Sequence, residues 1–93
     1  MQNAIELRVD LEVGAAYVRY GPRRPHGTSV RLSEDVVVHY DADSRVAGIE
    51  LIAVRPDAIQ IAEAFALQNA LYFPSLQQYV RPVVEDEGAR AVG

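Results

Sequence analysis

Few side chains in this sequence are suited to acid–base or nucleophilic chemistry. The chain has two histidines, His26 and His39, and no cysteine. His39 lies in the run VVVHYDADSRVAGIELIA, residues 36–53, where two alternating apolar segments flank a short turn rich in aspartate. This pattern predicts a β-hairpin. A histidine beside a carboxylate can act as general acid and base or contribute to a metal site.

The register of the hairpin decides which side chains share a face with His39. A turn centred on Asp43 and Ser44 predicts that Tyr40 pairs with Ala47 and His39 with Gly48, because facing residues share one side of a sheet. One face is then apolar: Val36, Val38, Tyr40, Ala47, Ile49 and Leu51. The other face holds Val37, His39, Asp41, Val46, Gly48 and Glu50.

His39 and Glu50 are therefore diagonal neighbours on the second face, and Tyr17 from an earlier strand is a third candidate for a catalytic role. The alternative is an exposed polar pair without chemistry. Because Glu50 lies beside Val37 and Val46, its carboxylate is expected to have a partner, which Arg8 or Arg19 from neighbouring strands could supply.

Other catalytic or metal-binding motifs are not recognisable. Asp41, Asp43 and Glu50 do not have the spacing of an EF-hand loop, and turn chemistry accounts for both aspartates. The sequence shows no Ser/His/Asp set, phosphate-binding glycine loop or metal-spaced histidine pair. We therefore expect neither a metal nor a cofactor, and a non-enzymatic protein is favoured.

The elements that would position these residues follow from the periodicity. Strict alternation predicts a strand over residues 4–11, and a second strand follows at 15–20. Two prolines and two glycines predict a loop at 21–28, with a short strand from Val30 to Leu32. After the hairpin, Pro56 and Asp57 begin a predicted helix over residues 56–73.

The predicted fold is α+β: a small antiparallel sheet of about four strands, a meander containing hairpin 36–53, packed against the C-terminal helix. One domain would span residues 1–84. Within it, residues 75–84 could form a short helix broken by Pro82, and a flexible acidic tail would follow at 85–93.

The helix has too few polar residues to cover a solvent-facing side, which indicates burial on more than one side. A domain of 93 residues without disulfides is also marginally stable alone. Both points predict a homodimer. The predicted partner-binding residues are Ile59, Phe65, Leu67, Leu71 and Phe73.

Charge and hydropathy restrict the classes of partner. The net charge of −4 argues against binding to a nucleic-acid backbone, although Arg23, Arg24 and His26 on a loop could contact phosphate or an acidic protein. No signal pattern or membrane-spanning stretch is evident. A cytoplasmic protein without membrane contact is expected.

A family resemblance lies in the first two strands and the hairpin, over roughly residues 4–54. The segment resembles the domain of unknown function 2283 family of small bacterial and archaeal proteins, whose activity is undetermined. GIEL at 48–51 is its most specific part, and His39 and Ser44 stand where an Asp and the turn glycine are usual. The matching residues are Asp10, Tyr17, Tyr40, Asp41, Asp43, Arg45, Val46, Gly48, Ile49, Glu50 and Leu51.

Some members of that family look like partners in toxin and antitoxin pairs, so the resemblance implies a protein-binding role. The leading hypothesis is a non-enzymatic, homodimeric interaction module, with an antitoxin-like association with a small toxin as one form. The alternatives are a small enzyme or ligand-binding protein that uses His39 and Glu50, and nucleic-acid binding through the Arg23 to His26 loop.

Overall fold

A computed structural model describes residues 1–80 as one antiparallel sheet with an α-helix after its last strand. The strands are β1 (Glu6–Asp10), β2 (Ala15–Arg19), β3 (His26–Ser33), β4 (Val36–Asp41) and β5 (Val46–Leu51). The helix α1 is Pro56–Gln68, and a short 3₁₀ helix, Gln77–Tyr79, follows. The predicted α+β class is confirmed. The predicted domain end at residue 84 and the predicted tail at 85–93 lie outside the described residues.

The sheet is antiparallel, as predicted, with five strands where about four were expected, and their order is β1-β2-β5-β4-β3 instead of a simple meander. After β2 the chain crosses to the far edge of the sheet, forms β3 there, and returns through β4 and β5. This order places the strands with most buried side chains, β2, β4 and β5, in the centre. The connection from β2 to β3, residues 20–25, is called the crossing segment below. It passes the ends of β5 and β4, which brings Arg23 and Arg24 close to the sheet.

Strand β3 begins at His26, whereas residues 21–28 were expected to form a loop. An edge strand tolerates irregular pairing, and the register of β3 with β4 shifts between His26 and Ser29. Gly27 fits this position because a Cβ there would collide with the main-chain carbonyl of Asp41. The glycine that suggested a loop is thus required by close strand packing.

The hairpin keeps the predicted register from Val36↔Leu51 to His39↔Gly48 and then departs from it. Tyr40 pairs with Val46 instead of Ala47. The turn has three central residues, 42–44, instead of the predicted two. It is closed by a hydrogen bond in which the amide of Asp41 donates to the carbonyl of Arg45 at 2.9 Å. Ser44 takes the left-handed conformation, with φ 65°, that such three-residue turns require.

The register shift between His39 and Tyr40 is a β-bulge. It places two residues on the face of the sheet opposite to the one predicted. Val46, expected on the second face, packs against the hydrophobic core. Ala47, expected in the core, lines a cavity on the opposite face together with His39.

The core lies between α1 and one face of the sheet. Pro56 occupies the first turn of the helix with Asp57 beside it, as predicted. The buried helix residues are mostly alanines, which allow close approach to the sheet: Ala58, Ile59, Ala62 and Ala66. They pack in one cluster with Val18, Val36, Val38, Ile49 and Leu51 of the sheet, all inaccessible to solvent.

The helix ends at Gln68, five residues before the predicted end at Phe73. Ala70 adopts φ 56°, and the amide of Leu71 donates to the carbonyl of Ala66 at 2.8 Å. The amide of Ala70 donates to the carbonyl of Leu67 at 3.2 Å, which completes a Schellman motif. The chain then turns so that Leu71 enters the core and forms a parallel bridge with Gln2.

Candidate functional site

The sheet face opposite α1, called the open face below, carries the polar side chains of the sheet. Cross-strand pairing aligns Arg8 with Tyr17, Tyr17 with Glu50, and Glu50 with Val37. A second row aligns Glu6, Arg19, Gly48, His39 and Ser29. The predicted candidates Tyr17, His39 and Glu50 therefore come together on one surface.

His39 and Glu50 are in direct contact, because Nε2 of His39 lies 2.8 Å from Oε1 of Glu50. On the other side of the ring, Nδ1 lies 2.8 Å from Oγ of Ser29. A carboxylate can only accept, so Nε2 carries the proton in the neutral imidazole and Nδ1 accepts from the hydroxyl of Ser29. Ser29, His39 and Glu50 form a hydrogen-bonded series whose two titratable side chains are 26% and 41% exposed.

The sequence predicted no Ser/His/Asp set and did not identify Ser29, which the structure places in contact with His39, itself in contact with Glu50. The residue is paired with His39 only because β3 extends back to His26. Reading residues 21–28 as a loop removed Ser29 from the sheet. If an edge strand had been assumed to pair with β4, with Val30 beside Val38, Ser29 would have been predicted to face His39.

The predicted arginine partners of Glu50 bind another acid. Arg19 Nε lies 3.1 Å from Glu6 Oε1, and Arg8 Nε lies 3.2 Å from Glu6 Oε2. The hydrogen bond from Arg19 lowers the pKa of Glu6. Arg19 also donates to the carbonyl of Gly21 at 2.8 Å, so its guanidinium is held at the start of the crossing segment.

The Tyr17 ring occupies the space above Gly48. A Cβ at residue 48 would overlap the Tyr17 hydroxyl and Cζ and come within 2.7 Å of Cε1. The Tyr17 ring centroid is 6.0 Å from that of His39. Burial raises the pKa of Tyr17, Glu50 raises it further, and Arg19 opposes both effects. Tyr17 is therefore a neutral phenol near pH 7, able to donate a hydrogen bond.

A cavity of about 450 Å³, called the basic cleft below, lies between the crossing segment and the open face. Its charged lining consists of three arginines and one aspartate, so a chain of net charge −4 presents positive charge here. Tyr17 separates this cleft from a wider depression of about 790 Å³ that Arg8, Asp10 and Glu50 help to line. The basic cleft is lined by Tyr17, Arg19, Pro22, Arg23, Arg24, His26, His39, Tyr40, Asp41 and Ala47.

Asp41 fixes one wall of the basic cleft. Its Oδ1 accepts from the amides of Asp43 at 2.8 Å and Arg45 at 3.0 Å, which confirms its predicted role in the turn. The hydrogen bond from Arg45 is the main reason why the pKa of Asp41 is lowered. Its Oδ2 lies 3.8 Å from Nε of Arg24, and the next amide, Ala42, donates to the carbonyl of Pro25 at 2.9 Å. The turn thereby holds the crossing segment in place.

The five predicted partner-binding residues do not form one surface. Ile59 and Leu71 are 1% and 5% exposed and belong to the core, so neither can contact a partner. Phe65 and Phe73 pack half-buried against the core, and Leu67 is 71% exposed. Edge strand β3 is more open, since every residue from His26 to Leu32 is exposed, including the apolar Val30 and Leu32.

Within residues 1–80 no group of three or more histidine, aspartate or glutamate side chains is arranged to hold a metal ion. In the same part of the chain, no helix has the length and apolar character needed to cross a membrane. The sequence matches no protein-family model, no curated protein and no solved structure. The resemblance of residues 4–54 to the domain of unknown function 2283 family therefore stays a prediction.

Proposed function

We propose that this protein is a non-enzymatic interaction module that forms a homodimer through the edge strand β3. The observation that supports this proposal is the exposure of seven consecutive residues of an eight-residue edge strand. The outer edge of such a strand presents backbone N–H and C=O groups that can pair with another chain.

The opposite edge is less suited to pairing. Strand β1 has five residues, and three of them are the charged Glu6, Arg8 and Asp10. Charges on an edge strand oppose the approach of a second sheet. Strand β3 contains one arginine, Arg31, and no acid.

A second copy of this chain is the occupant that best fits β3. Val30 pairs with the buried Val38 and so lies on the helix side of the sheet, where it is 45% exposed. Leu32 is 37% exposed. Antiparallel pairing of two β3 strands about a two-fold axis would cover the same apolar side chains in both copies. The alternative occupant of β3 is a different protein, such as the small toxin that the family resemblance implies.

Sedimentation equilibrium of Val30→Lys tests the proposal. We expect the unchanged protein to be a dimer at micromolar concentration and Val30→Lys to be a folded monomer by far-ultraviolet circular dichroism. Val13→Lys is the matched control, because Val13 is 68% exposed in the turn between β1 and β2. Leu32→Lys provides a second disruption. A folded monomer before any substitution, or dimers that persist in both β3 variants, would refute the proposal.

A second candidate function, ester hydrolysis, is favoured by the contacts of Ser29, His39 and Glu50. The Ser29 oxygen would attack an ester carbonyl while Nδ1 of His39 takes its proton and Glu50 stabilises the imidazolium. His39 would return the proton to the leaving alcohol, and water would then hydrolyse the acyl group from Ser29.

This second function is tested with p-nitrophenyl acetate and a fluorophosphonate label. Hydrolysis and labelling at Ser29 are expected, with loss of both in Ser29→Ala and His39→Gln. Thr28→Ala removes an adjacent exposed hydroxyl and serves as the control. Turnover that survives in Ser29→Ala, or no turnover at all, excludes this mechanism.

A further inference from the structure

We propose that the basic cleft binds a small phosphate monoester that carries a planar organic group. Residues 1–80 bring the guanidinium groups of Arg19, Arg23 and Arg24 to one cavity, whose lining includes the carboxylate of Asp41, while Glu6 pairs with Arg19 from outside it. The whole chain has the opposite sign of charge. Positive charge concentrated in a concave site raises the local concentration of an anionic ligand.

One cation of the cleft, Arg19, is held in place before a ligand binds, and a second, Arg24, lies near a carboxylate. Arg19 is fixed by Glu6 and by the carbonyl of Gly21. Arg24 is directed towards Asp41, but the separation of 3.8 Å exceeds hydrogen-bond length and leaves its donors available. Such preorganisation lowers the entropy that binding would otherwise cost.

Arg23 is the side chain best placed to contact a ligand directly. It lines the cleft, and it takes part in none of the ion pairs found among residues 1–80. The planar guanidinium group matches two oxygens of a phosphate. Arg23 can therefore bind an anion without breaking an existing ion pair.

The organic part of the ligand is indicated by the other walls. Tyr17, Tyr40, His26 and His39 all line the cleft, and the rings of His26 and His39 are 6.1 Å apart. Aromatic walls of this kind pack against planar groups. The volume of about 450 Å³ lies in the range of small-molecule sites.

A nucleic-acid strand fits these observations less well than a small ligand. The turn beside the cleft carries Asp43, and the chain as a whole is negatively charged. A long polyanion that crosses the cleft would approach Asp43 and the overall negative charge, whereas a monoester contained in the cleft would not.

Isothermal titration calorimetry on the full chain, with adenosine monophosphate as the probe, tests the proposal. We expect saturable binding of one molecule per chain, and weaker binding of both adenosine and inorganic phosphate. Arg23→Gln should weaken binding about tenfold, the effect of losing a hydrogen bond between charged groups. Arg24→Gln should weaken it as well. Arg55→Gln makes the same change of charge outside the cleft, where Arg55 pairs with Asp35 at 3.7 Å, and should leave affinity unchanged.

Three results would overturn the proposal: no saturable heat with adenosine monophosphate, equal weakening by Arg55→Gln and Arg23→Gln, or tighter, steeply salt-dependent binding of a single-stranded oligonucleotide. The last result would identify a nucleic-acid surface instead. His26 belongs to both β3 and the cleft, but Val30 lies on the opposite face of the sheet from the cleft, so Val30→Lys should bind adenosine monophosphate normally even where it abolishes dimerisation.

Discussion

Replacing Gly48 with alanine tests whether the open face depends on the position of Tyr17. The added methyl group would occupy the space of the Tyr17 hydroxyl and Cζ, so the ring must move. Gly48 does not adopt a left-handed conformation, and its backbone accepts an L residue without strain. Any loss of stability must therefore come from the displaced ring.

Two opposing effects set the size of the change. Alanine in a strand gains about 0.5–1 kcal/mol over glycine, because it loses less backbone entropy on folding. Forcing a side chain out of a packed position costs about 1–3 kcal/mol. We therefore expect Gly48→Ala to destabilise the protein by about 1 kcal/mol when Tyr17 is present. In a Tyr17→Ala background the same substitution should stabilise by about 0.5–1 kcal/mol.

The double-mutant cycle is measured by urea unfolding followed by far-ultraviolet circular dichroism. The expected coupling between the two positions, about 1.5–2 kcal/mol, exceeds the deviation of about 0.5 kcal/mol shown by independent sites. Gly48→Ala in a Tyr72→Ala background is the control, because Tyr72 is half exposed after α1 and does not line the open face. If Gly48→Ala changes stability equally with and without Tyr17, the reasoning is refuted.

Further predictions follow from individual backbone and side-chain positions. Ala70→Gly should stabilise by about 0.5–1 kcal/mol in thermal unfolding, since Ala70 has φ 56° and glycine adopts this conformation without strain; Ser44→Gly, at φ 65°, should behave alike. Tyr20→Phe should destabilise by about 1–2 kcal/mol, because the buried hydroxyl donates to the carbonyl of Tyr72 at 2.7 Å. Burial raises the pKa of Tyr20 from 10.0 to about 12, so stability should fall as pH rises through this interval, and less in Tyr20→Phe. The lowered pKa of Asp41 adds stability that is present above its ordinary value of 3.8 and lost as pH falls below it; acid unfolding of Asp41→Asn should lack this component.

For each of these predictions, one experimental outcome would contradict the physical explanation given. No gain in Ala70→Gly would mean that the left-handed residue at the end of α1 costs nothing. A Tyr20→Phe protein as stable as the unchanged one would mean that the Tyr72 carbonyl finds another donor. Identical acid-unfolding curves for the unchanged protein and the Asp41→Asn variant would remove the turn carboxylate as a source of pH dependence.

The parts of the fold that sequence reasoning predicted are those where one face is buried. The alternation in β1 follows from packing of Leu7 and Val9 against the core, and that in the first pairs of the hairpin from burial of Val36, Val38, Ile49 and Leu51. Only the part of β3 from Val30 to Leu32 was predicted, because almost all residues of this strand are exposed and show no alternation of burial. The end of α1 was misplaced because it rests on a left-handed alanine, Ala70, where glycine would have signalled it.

In the candidate site, too, only the contacts within the regular part of the sheet were predictable. Contact between His39 and Glu50 was predictable, because both lie in the regular part of the hairpin, where the register follows from the apolar pattern. The contact of Ser29 with His39 was not, because it depends on the route of the chain to the far edge of the sheet.

The basic cleft depends on the departures from regularity. The turn at Ser44 lets Asp41 accept the amides of Asp43 and Arg45, and places Asp41 beside Arg24. The bulge turns the small Ala47 towards the cleft and the larger Val46 towards the core. A regular two-residue turn would keep the predicted pairing, with Val46 on the open face, and the larger side chain would occupy space now left to the cavity. The cleft is therefore a consequence of the irregular end of the hairpin, which alternation in the sequence cannot reveal.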